Sequence, residues 1–496
     1  MKVLYYNWVD YLDDENRGGG VSQYQRNILK ELDGQDGIEA IFLSSGISYD
    51  LVRRSPRWER ARHGPTQDRH RRYEIVNSGV LSPAHHSYGD PAQVSHDPTL
   101  RVLHDFIDAT GPYDVVHFNN LEGLPADALA LKSVWPDMRV ILSLHNYYPF
   151  CPQVNLWHQE RETCTDFEGG RKCVHCLPHA HDARQLKLAN SLAYRLKRAG
   201  FRPGSRTFEA LFRPTIRVGR RLAMGLAWAM RGGRKRQRHP DRLSTLPAPD
   251  GGPFAARRAA MVEAINQHCD RVLCVSDFVA RVAERHGVQR EILQTSYIGT
   301  AEAACFDQTA PRPSLLRADG TVTLAYLGYM RRDKGFFFLL EALESLPDPL
   351  AKRIRLVVAA RDIKDGTVDR LADLGARLGG LHYADGYTHD GLDDLLAEVD
   401  LGVIPVLWND NLPQVAIEMH ARHIPLLTSD LGGAQELAGC PDMVFRAGDI
   451  EGFHARLRMI LSGQIDLDAY WAGARRPVSM PDHLTELREV YTPPAQ

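Results

Sequence analysis

The sequence has no long apolar run and no marked excess of charge of either sign. None of its uninterrupted apolar segments approaches the ~18 residues that a membrane-spanning helix needs. It shows no N-terminal apolar segment followed by a cleavage site, and Lys2–Trp8 has the pattern of a first strand. The net charge of −2, from 60 basic and 62 acidic residues, argues against nucleic acid as a main partner. We therefore expect a cytoplasmic protein whose eight cysteines are reduced.

A length of 496 residues exceeds one ordinary hydrophobic core and fits two large α/β domains. Strand and helix patterns alternate through both halves, which predicts parallel sheets covered on both faces. The predicted strands are Lys2–Trp8, Glu39–Leu43, Tyr113–Phe118, Arg139–Leu144, Arg271–Val275, Thr321–Leu327, Arg353–Ala359, Leu401–Val406 and Ile424–Thr428. Predicted helices include a segment after Gly18–Gly20, Asp277–His286 with Ser276 as its cap, Phe336–Leu346, Val368–Leu378 and Leu392–Val399.

A stretch between the two halves, from Ser296 to Pro313, has the glycine and proline content of a hinge. We expect an N-terminal domain over residues 1–298 and a C-terminal domain over residues 299–478. The amphipathic segment His483–Tyr491 predicts a last helix within residues 479–496.

Two carboxylates eight positions apart, Asp410 and Glu418, flank the start of a predicted helix. Pro413 suits the beginning of that helix because its ring fixes a helical φ. First-turn N–H groups and the positive end of the helix dipole would favour a diphosphate beside Asn411 and Leu412. Asp410 would accept hydrogen bonds from sugar hydroxyls, and Glu418 from a ribose. The alternative is a surface helix with a solvated acid at each end.

A basic turn, Arg331-Arg332-Asp333-Lys334-Gly335, joins a predicted strand to a predicted helix. Cations there would neutralise the charge of a diphosphate. Lys334 lies beside the helix start, and Arg331 or Arg332 would add further charge. The alternative is a basic turn on the protein surface.

Other candidates follow predicted strands of the N-terminal half. The glycines Gly18–Gly20 follow the first strand and would let the backbone approach a ligand closely. His145, with Tyr147 after it, ends another strand, and the carboxyl ends of parallel strands line the crevice where α/β sheets bind ligands. His117 and Asn119 end the preceding strand and are weaker candidates.

The segment from Asp410 to Glu418, with the strand and Gly432-Gly433 after it, resembles the donor-binding motif of the retaining GT-B glycosyltransferases of family 4. That motif has two glutamates separated by seven residues, so Asp410 is one methylene shorter than the family residue. The basic turn resembles the family's diphosphate-binding loop, with Lys334 at the lysine position. Tyr329 stands where the family has an arginine, which puts one phosphate contact in doubt.

The resemblance covers residues 1–160 and 270–495 and implies an α/β GT-B fold. In that fold two Rossmann-like, doubly wound domains face each other across a central cleft, and a C-terminal helix crosses back to the N-terminal domain. The implied catalytic residues are His145, Asp410 and Lys334. The implied donor-binding residues are Gly19, Gly20, Arg331, Arg332, Asn411, Leu412 and Glu418, and the acceptor-side residues are His117, Asn119 and Tyr147.

The activity that the resemblance implies is a retaining, metal-independent sugar transfer of the hexosyltransferase type. A nucleotide sugar would be the co-substrate, with no further cofactor, and a glycan or lipid-linked glycan of cell-surface polysaccharide synthesis would be the acceptor. A non-catalytic nucleotide-sugar-binding protein is the competing interpretation, because Asp410 and Tyr329 depart from the family pattern. A sugar phosphorylase ranks last, since no lysine has a context suited to a pyridoxal cofactor.

Four cysteines, Cys151, Cys164, Cys173 and Cys176, fall within 26 residues. In a reducing compartment such a group suggests a tetrahedral structural zinc site. The gaps between them are irregular, and free buried cysteines are the alternative.

Residues 184–242 contain seventeen Lys and Arg against two acidic residues. Apolar positions such as Ile216, Leu222, Leu226 and Trp228 alternate there with Arg217, Arg220, Arg221 and a basic run at 234–236. Cations flanking a short apolar face suit an interfacial helix, so this insertion predicts peripheral binding to an anionic membrane surface on the cytoplasmic face. A solvated basic loop is the alternative.

Overall fold

The computed structural model describes residues 1–13, 15, 17–33, 37–177, 183–230 and 250–493, without the side chains of residues 220–230. Residues 231–242 of the predicted basic insertion lie outside this description. The chain divides into two compact units. The first comprises Met1–Ser143, Tyr147–Val154 and Asp166–Val272, and the second comprises Leu144–Asn146, Asn155–Thr165 and Leu273–Gln496.

Short strands occur throughout both units. They are β1 Lys2–Tyr6, β2 Glu39–Ser48, β3 Arg57–Arg60, β4 Arg72–Val76, β5 Val115–Phe118, β6 Arg139–Leu144, β7 Trp157–His158, β8 Glu162–Thr163, β9 Arg271–Cys274, β10 Leu293–Thr295, β11 Val322–Gly328, β12 Ile354–Ala360, β13 Gly380–Ala384, β14 Leu401–Ile404, β15 Leu426–Ser429 and β16 Val444–Phe445.

Helices lie between most of the strands. They are α1 Gly19–Leu32, α2 Asp97–Thr110, α3 Arg171–Val174, α4 Ala183–Arg198, α5 Arg206–Met230, α6 Gly252–His268, α7 Asp277–Arg285, α8 Cys305–Gln308, α9 Phe336–Glu344, α10 Asp348–Ala351, α11 Thr367–Arg377, α12 Leu392–Leu396, α13 Gln414–His420, α14 Ile450–Leu461, α15 Leu467–Ala472 and α16 Met480–Tyr491.

In the first unit, the strands run in the order β6-β5-β1-β2-β4-β3. All neighbours are parallel except the edge pair of β3 and β4, which is antiparallel. The central strand β1 is buried at every position after Lys2, as expected of a parallel strand covered on both faces. Strands β1 and β5 are neighbours, with Tyr6 opposite Phe118.

In the second unit, six parallel strands run in the order β13-β12-β11-β14-β15-β16. This is the doubly wound order, with the switch point between β11 and β14. Apolar residues of β11, β12, α9, α11 and α14 form one continuous core; they include Val322, Leu324, Leu339, Leu343, Leu356, Val358, Leu371, Phe453 and Leu457. The predicted parallel α/β architecture is confirmed.

Most predicted strands and helices are present, with ends that differ by a few residues. Ser276 caps α7 as predicted, because its hydroxyl accepts from the N–H of Val279. The helix predicted after the glycine run instead begins inside it, at Gly19. Strands β3, β4 and β13 were not predicted, because their apolar alternation is short or interrupted by polar residues. The very short strands β7, β8, β10 and β16 were not predicted either, nor was helix α2, although Leu103, Phe106 and Ile107 form its buried face.

The described part of the basic segment contains two helices. Helix α4 belongs to the first unit, where Tyr194 is buried, accepts from Arg57 at 3.1 Å and donates to Glu59 at 2.9 Å. Helix α5 exposes the apolar side chains of Leu211 and Val218. Among the helices of the described residues, none is long and apolar enough to cross a membrane.

Candidate functional site

The switch point of the second unit lies between two loops that follow β11 and β14 and that are tied together. The N–H of Leu407 donates to the carbonyl of Asp333 over 2.9 Å. Gly335 has φ +73°, and a Cβ at that position would lie 1.7 Å from the carbonyl oxygen of Pro405. Only glycine permits both the conformation and this close approach. The basic turn is therefore held against the loop that carries Asp410.

Lys334 and Asp410 meet in these loops. The Lys334 ammonium lies 2.6 Å from a carboxylate oxygen of Asp410, whose side chain is only 7% exposed, whereas that of Lys334 is 28% exposed. The same ammonium lies 4.9 Å from the centre of the Trp408 ring. The structure thus brings together two residues, predicted from separate motifs, that suit an anion and a hydroxyl-bearing ligand.

The glycine pair after β15 supports the Asp410 loop from one side. The N–H of Gly433 donates to the Asp410 carbonyl at 3.1 Å. Gly432 has φ +86°, and a Cβ there would lie 2.3 Å from that carbonyl oxygen. A Cβ at Gly433 would lie 2.4 Å from the carbonyl oxygen of Asn411. Larger residues at either glycine would displace the loop.

Asn411 connects this loop to the strand end that carries His145. Its side-chain amide donates to the carbonyl of Leu144 at 3.3 Å, and its own carbonyl accepts from the Ser276 hydroxyl at 2.7 Å. Donor binding by Asn411 stays a prediction, and its side-chain amide donates one hydrogen bond within the protein. Residues Leu144–Asn146 belong to the second unit, so His145 lies in the same unit as Asp410.

His145 is half-buried, and desolvation of its ring, together with the nearby imidazole of His483, lowers its pKa from 6.5 to about 3. The imidazole is therefore neutral at physiological pH. A neutral imidazole can donate and accept hydrogen bonds, but with such a low pKa it is a weak base.

Glu418 lies in the second turn of α13, as predicted, and its side chain is 5% exposed. Tyr387 donates a hydrogen bond to one of its carboxylate oxygens at 3.0 Å, and the His389 ring nitrogen lies 3.5 Å from the other. Burial raises the pKa of Glu418, although His389 and Tyr387 oppose the shift.

Sequence reasoning did not identify Tyr387 and His389. Both follow β13, which was not predicted, and residues after a parallel strand are candidates for the crevice. Recognition of that strand would have drawn attention to them.

Helix α13 begins after Pro413, with Gln414 as its first residue. Leu412 is buried in the preceding loop. Binding of a diphosphate at this helix end stays a prediction.

The two candidate arginines differ. Arg331 forms a two-pronged ion pair with Asp333, with nitrogen–oxygen distances of 2.9 and 2.8 Å. The Arg332 side chain is exposed and forms no hydrogen bond or ion pair with any residue that the structure describes. Tyr329 is 59% exposed at the position of the family arginine. Arg332 is consequently better placed than Arg331 to supply an uncommitted positive charge.

The remaining candidates belong to the first unit. Gly19 and Gly20 are exposed in the first turn of α1. His117 is buried, and its ring nitrogen lies 2.7 Å from the Ser143 hydroxyl. Asn119, after β5, and Tyr147 are also fully buried. Their roles on the acceptor side stay predictions.

The predicted zinc site is not supported. Within the described ranges, no group of three or more His, Cys, Asp or Glu residues is placed to hold a metal ion. Cys151, Cys173 and Cys176 are buried thiols, and Cys164 is half-buried. The Cys176 thiol lies 3.0 Å from the Gln153 side-chain oxygen.

The chain is similar to known proteins in part of its sequence and in its fold. Residues 321–463 match the family described as "Glycosyl transferases group 1". HepE of Anabaena, solved in complex with UDP, is similar with a TM-score of 0.52 and 13% identity over 99% of both chains. A glycosyltransferase of Rickettsia africae is similar with a TM-score of 0.52 and 13% identity, over 99% of this chain and 97% of that one.

A sucrose-phosphate synthase of Thermosynechococcus elongatus has a TM-score of 0.50 and 13% identity, over 99% of this chain and 98% of that one. No curated protein sequence matches the chain. Likeness at this identity establishes the fold, and the family match covers the part of the second unit that contains Lys334, Asp410 and Glu418. Residues 321–463 therefore match a glycosyltransferase family, and the chain has the α/β fold of solved GT-B glycosyltransferases.

Proposed function

We propose that the protein transfers a sugar from a nucleotide-sugar donor to a hydroxyl of a glycan or lipid-linked glycan, with retention of anomeric configuration. The observation that carries this proposal is the grouping of Lys334, Asp410, His145 and Glu418 in one unit. Asn411 connects the loop of Asp410 to the strand end of His145.

Each residue has a distinct role in the proposed reaction. Glu418 accepts hydrogen bonds from the ribose of the donor, and Asp410 accepts from hydroxyls of the transferred sugar. Lys334 stabilises negative charge on the leaving diphosphate, which is the electrostatic contribution expected of a preorganised cation. Because Lys334 forms an ion pair with Asp410, the bound diphosphate shares this ammonium with the carboxylate.

The bond from the anomeric carbon to the diphosphate oxygen breaks as the bond to the acceptor hydroxyl oxygen forms. The acceptor proton passes to the oxygen of the leaving diphosphate, which is the nearest developing base. His145, whose pKa is lowered to about 3 by burial, acts as a neutral hydrogen-bonding group toward the transferred sugar. No metal or cofactor has a step in this proposal.

A transfer assay with a panel of nucleotide sugars tests the function. UDP-sugars come first, because HepE of Anabaena was solved with UDP. Transfer or donor hydrolysis by the parent chain, and its loss in Glu418→Ala, would support catalysis. Donor binding without turnover for every sugar in the panel would instead favour the non-catalytic binding protein, to which the departures at Asp410 and Tyr329 point.

We further propose that the acceptor belongs to cell-surface polysaccharide synthesis and that the enzyme reaches it at the cytoplasmic membrane face. Helix α5 supports this proposal. Leu211 and Val218 are 45% and 54% exposed, and the Arg213 side chain, 67% exposed, lies between them in the sequence. Apolar and cationic side chains exposed on one helix suit an anionic interface.

A further inference from the structure

Trp408 carries a buried hydrogen-bond donor that no described residue of the protein accepts. The residue is 8% exposed, and its indole nitrogen has no hydrogen-bond partner among the described residues. An indole N–H can only donate, so another donor cannot satisfy it. Buried donors in native proteins are nearly always paired with protein, water or ligand. The indole N–H of Trp408 is therefore available to an acceptor other than the described residues.

The surroundings of Trp408 show which acceptor fits. The Lys334 ammonium lies 4.9 Å from the ring centre, and the N–H of Asp410 donates to the Trp408 carbonyl at 2.8 Å. Trp408 is therefore part of the Lys334–Asp410 cluster.

Protein acceptors next to Trp408 in the chain are already engaged. The carbonyl of Val406 accepts from Ser429 at 2.7 Å, and that of Leu407 accepts from Thr163 at 3.1 Å. The Asp410 carboxylate accepts from Lys334. None of these groups accepts from the indole N–H, and an incoming ligand oxygen would supply that acceptor.

We propose that the Trp408 indole N–H donates a hydrogen bond to a phosphate oxygen of the donor's diphosphate, an inference that rests on the proposed function. An anionic oxygen is a strong acceptor, and its negative charge suits the Lys334 ammonium beside the ring. The electrostatic attraction of the Lys334 ammonium has little directional preference, whereas a hydrogen bond from the indole N–H is directional. Trp408 thereby fixes the orientation of the diphosphate that Lys334 attracts.

Trp408→Phe removes the N–H while it keeps an aromatic ring beneath Lys334. Trp471→Phe is the matched control, because its indole nitrogen is likewise buried without a partner in the described structure. Trp471 instead packs among aromatic rings, 5.4 Å from His420 and 4.9 Å from His423. Affinities for UDP, GDP and ADP, and for the corresponding nucleosides, are measured by calorimetry.

We expect Trp408→Phe to weaken binding of the preferred nucleoside diphosphate at least about tenfold, as loss of a charge-assisted hydrogen bond does. Binding of the nucleoside should stay within about twofold, and Trp471→Phe should bind both ligands like the parent. Equal losses for diphosphate and nucleoside would mean general damage to the site and would overturn the inference. Unchanged diphosphate affinity would also overturn the inference, because the indole N–H would then not contribute to diphosphate binding.

A spectroscopic measurement on the parent chain tests the inference even if Trp408→Phe is too unstable for calorimetry, since Trp408→Tyr can then supply the assignment. The chain has seven tryptophans, so nitrogen-15 labelling gives up to seven indole signals. The Trp408 signal is assigned by its loss in Trp408→Phe or Trp408→Tyr. Saturating diphosphate should move this signal downfield, as a new N–H to phosphate bond does, and nucleoside should not. If the chemical shift of the Trp408 indole does not change when the diphosphate is added, the proposed contact is refuted.

Failure of this inference is distinguishable from failure of the proposed function. If Glu418→Ala loses diphosphate binding while Trp408→Phe keeps it, the donor site stands and the indole contact does not. If the parent chain binds none of the nucleoside diphosphates, both proposals are refuted.

Discussion

The carboxylate of Glu418 is the residue whose removal should have the clearest effect on donor binding. It is 5% exposed and already accepts from Tyr387, so a ribose hydroxyl would add to a preorganised acceptor. We expect Glu418→Ala to weaken nucleotide binding by about 1.5–3 kcal/mol, the cost of losing a buried charged hydrogen-bond partner. Calorimetry on variants with parental circular dichroism measures this change. Unchanged affinity in a folded variant would remove Glu418 from the donor site.

The raised pKa of Glu418 adds a pH dependence to the same measurement. Burial raises its pKa above the ordinary 4.5, so on acidification the carboxylate is protonated at a higher pH than that of an exposed glutamate. A protonated carboxyl accepts hydrogen bonds more weakly, so affinity should fall as the pH drops through this raised pKa. Phosphate groups of the ligand also titrate, and Glu418→Gln, which stays neutral, isolates the contribution of the carboxylate. Parallel pH profiles for the two proteins would contradict this expectation.

His145 should act without gaining or losing a proton. Its pKa of about 3 keeps the imidazole neutral above pH 4. We expect His145→Ala to lower kcat about 10- to 100-fold, as loss of a contact formed with the reacting sugar would, with KM for the donor little changed. Glutamine offers a neutral donor and acceptor, so His145→Gln should recover part of the loss. If Gln and Ala variants are equally impaired, the imidazole has chemistry that a neutral amide cannot replace.

At the scale of loops and turns, the glycine pair after β15 should control the position of Asp410. Gly433 has an ordinary φ of −83°, so alanine is tolerated by the backbone itself. Its Cβ, however, would lie 2.4 Å from the Asn411 carbonyl oxygen. We expect Gly433→Ala to destabilise the protein by about 1–3 kcal/mol and to weaken nucleotide binding, because the donor loop must move.

Gly380→Ala is the control for this prediction. A Cβ at Gly380, in β13, would make an ordinary contact 3.7 Å from the Arg355 side chain. Denaturant unfolding and calorimetry should therefore find it close to the parent. Loop displacement is the wrong explanation if the two alanine variants behave alike.

The elements differ in how far the sequence could predict them. Strands such as Val322–Gly328 and Ile354–Ala360 are buried on both faces, so they form apolar runs that are recognisable in sequence. Gly380–Ala384 begins with glycine and is only half-buried, which leaves no such run. Missing that strand also meant missing Tyr387 and His389 beside Glu418.

Within the candidate site, motif residues were predictable and their pairings were not. Lys334 and Asp410 were each identified from local spacing, but their ion pair joins residues 76 positions apart. The Asn411 contact with the carbonyl of Leu144 joins residues 267 positions apart. Such contacts depend on the packing of the whole unit, which local patterns do not determine. The indole N–H of Trp408 likewise could not be singled out from the sequence, because its lack of a partner among the described residues depends on how the unit packs.

At the scale of the whole molecule, the basic segment has two parts with different physical roles. Helix α4 contributes Tyr194 to a network with Arg57 and Glu59, so deletion of the entire segment would damage the first unit. Over residues 206–219, where the side chains of α5 are described, the buried ring of Phe208 stacks on Phe212, and Leu211, Arg213 and Val218 are exposed. Substitutions on α5 therefore test membrane binding more cleanly than a deletion.

We expect the whole chain to sediment with anionic vesicles and not with neutral ones. Arg213→Glu with Arg217→Glu should reduce this binding, because each cation near an anionic surface contributes about 1 kcal/mol. A separate variant, Leu211→Ser with Val218→Ser, should also reduce vesicle binding, because it removes exposed apolar contacts.

Arg53→Glu with Arg54→Glu makes the same change in net charge at exposed positions outside α5 and should bind like the parent. If this control loses as much vesicle binding as Arg213→Glu with Arg217→Glu, binding to the anionic vesicles depends on net charge and not on α5. If the parent binds neither kind of vesicle, the proposed membrane contact is refuted. Sugar transfer would still be tested separately by the nucleotide-sugar assay. Retained binding in both α5 variants would place the membrane contact elsewhere on the chain.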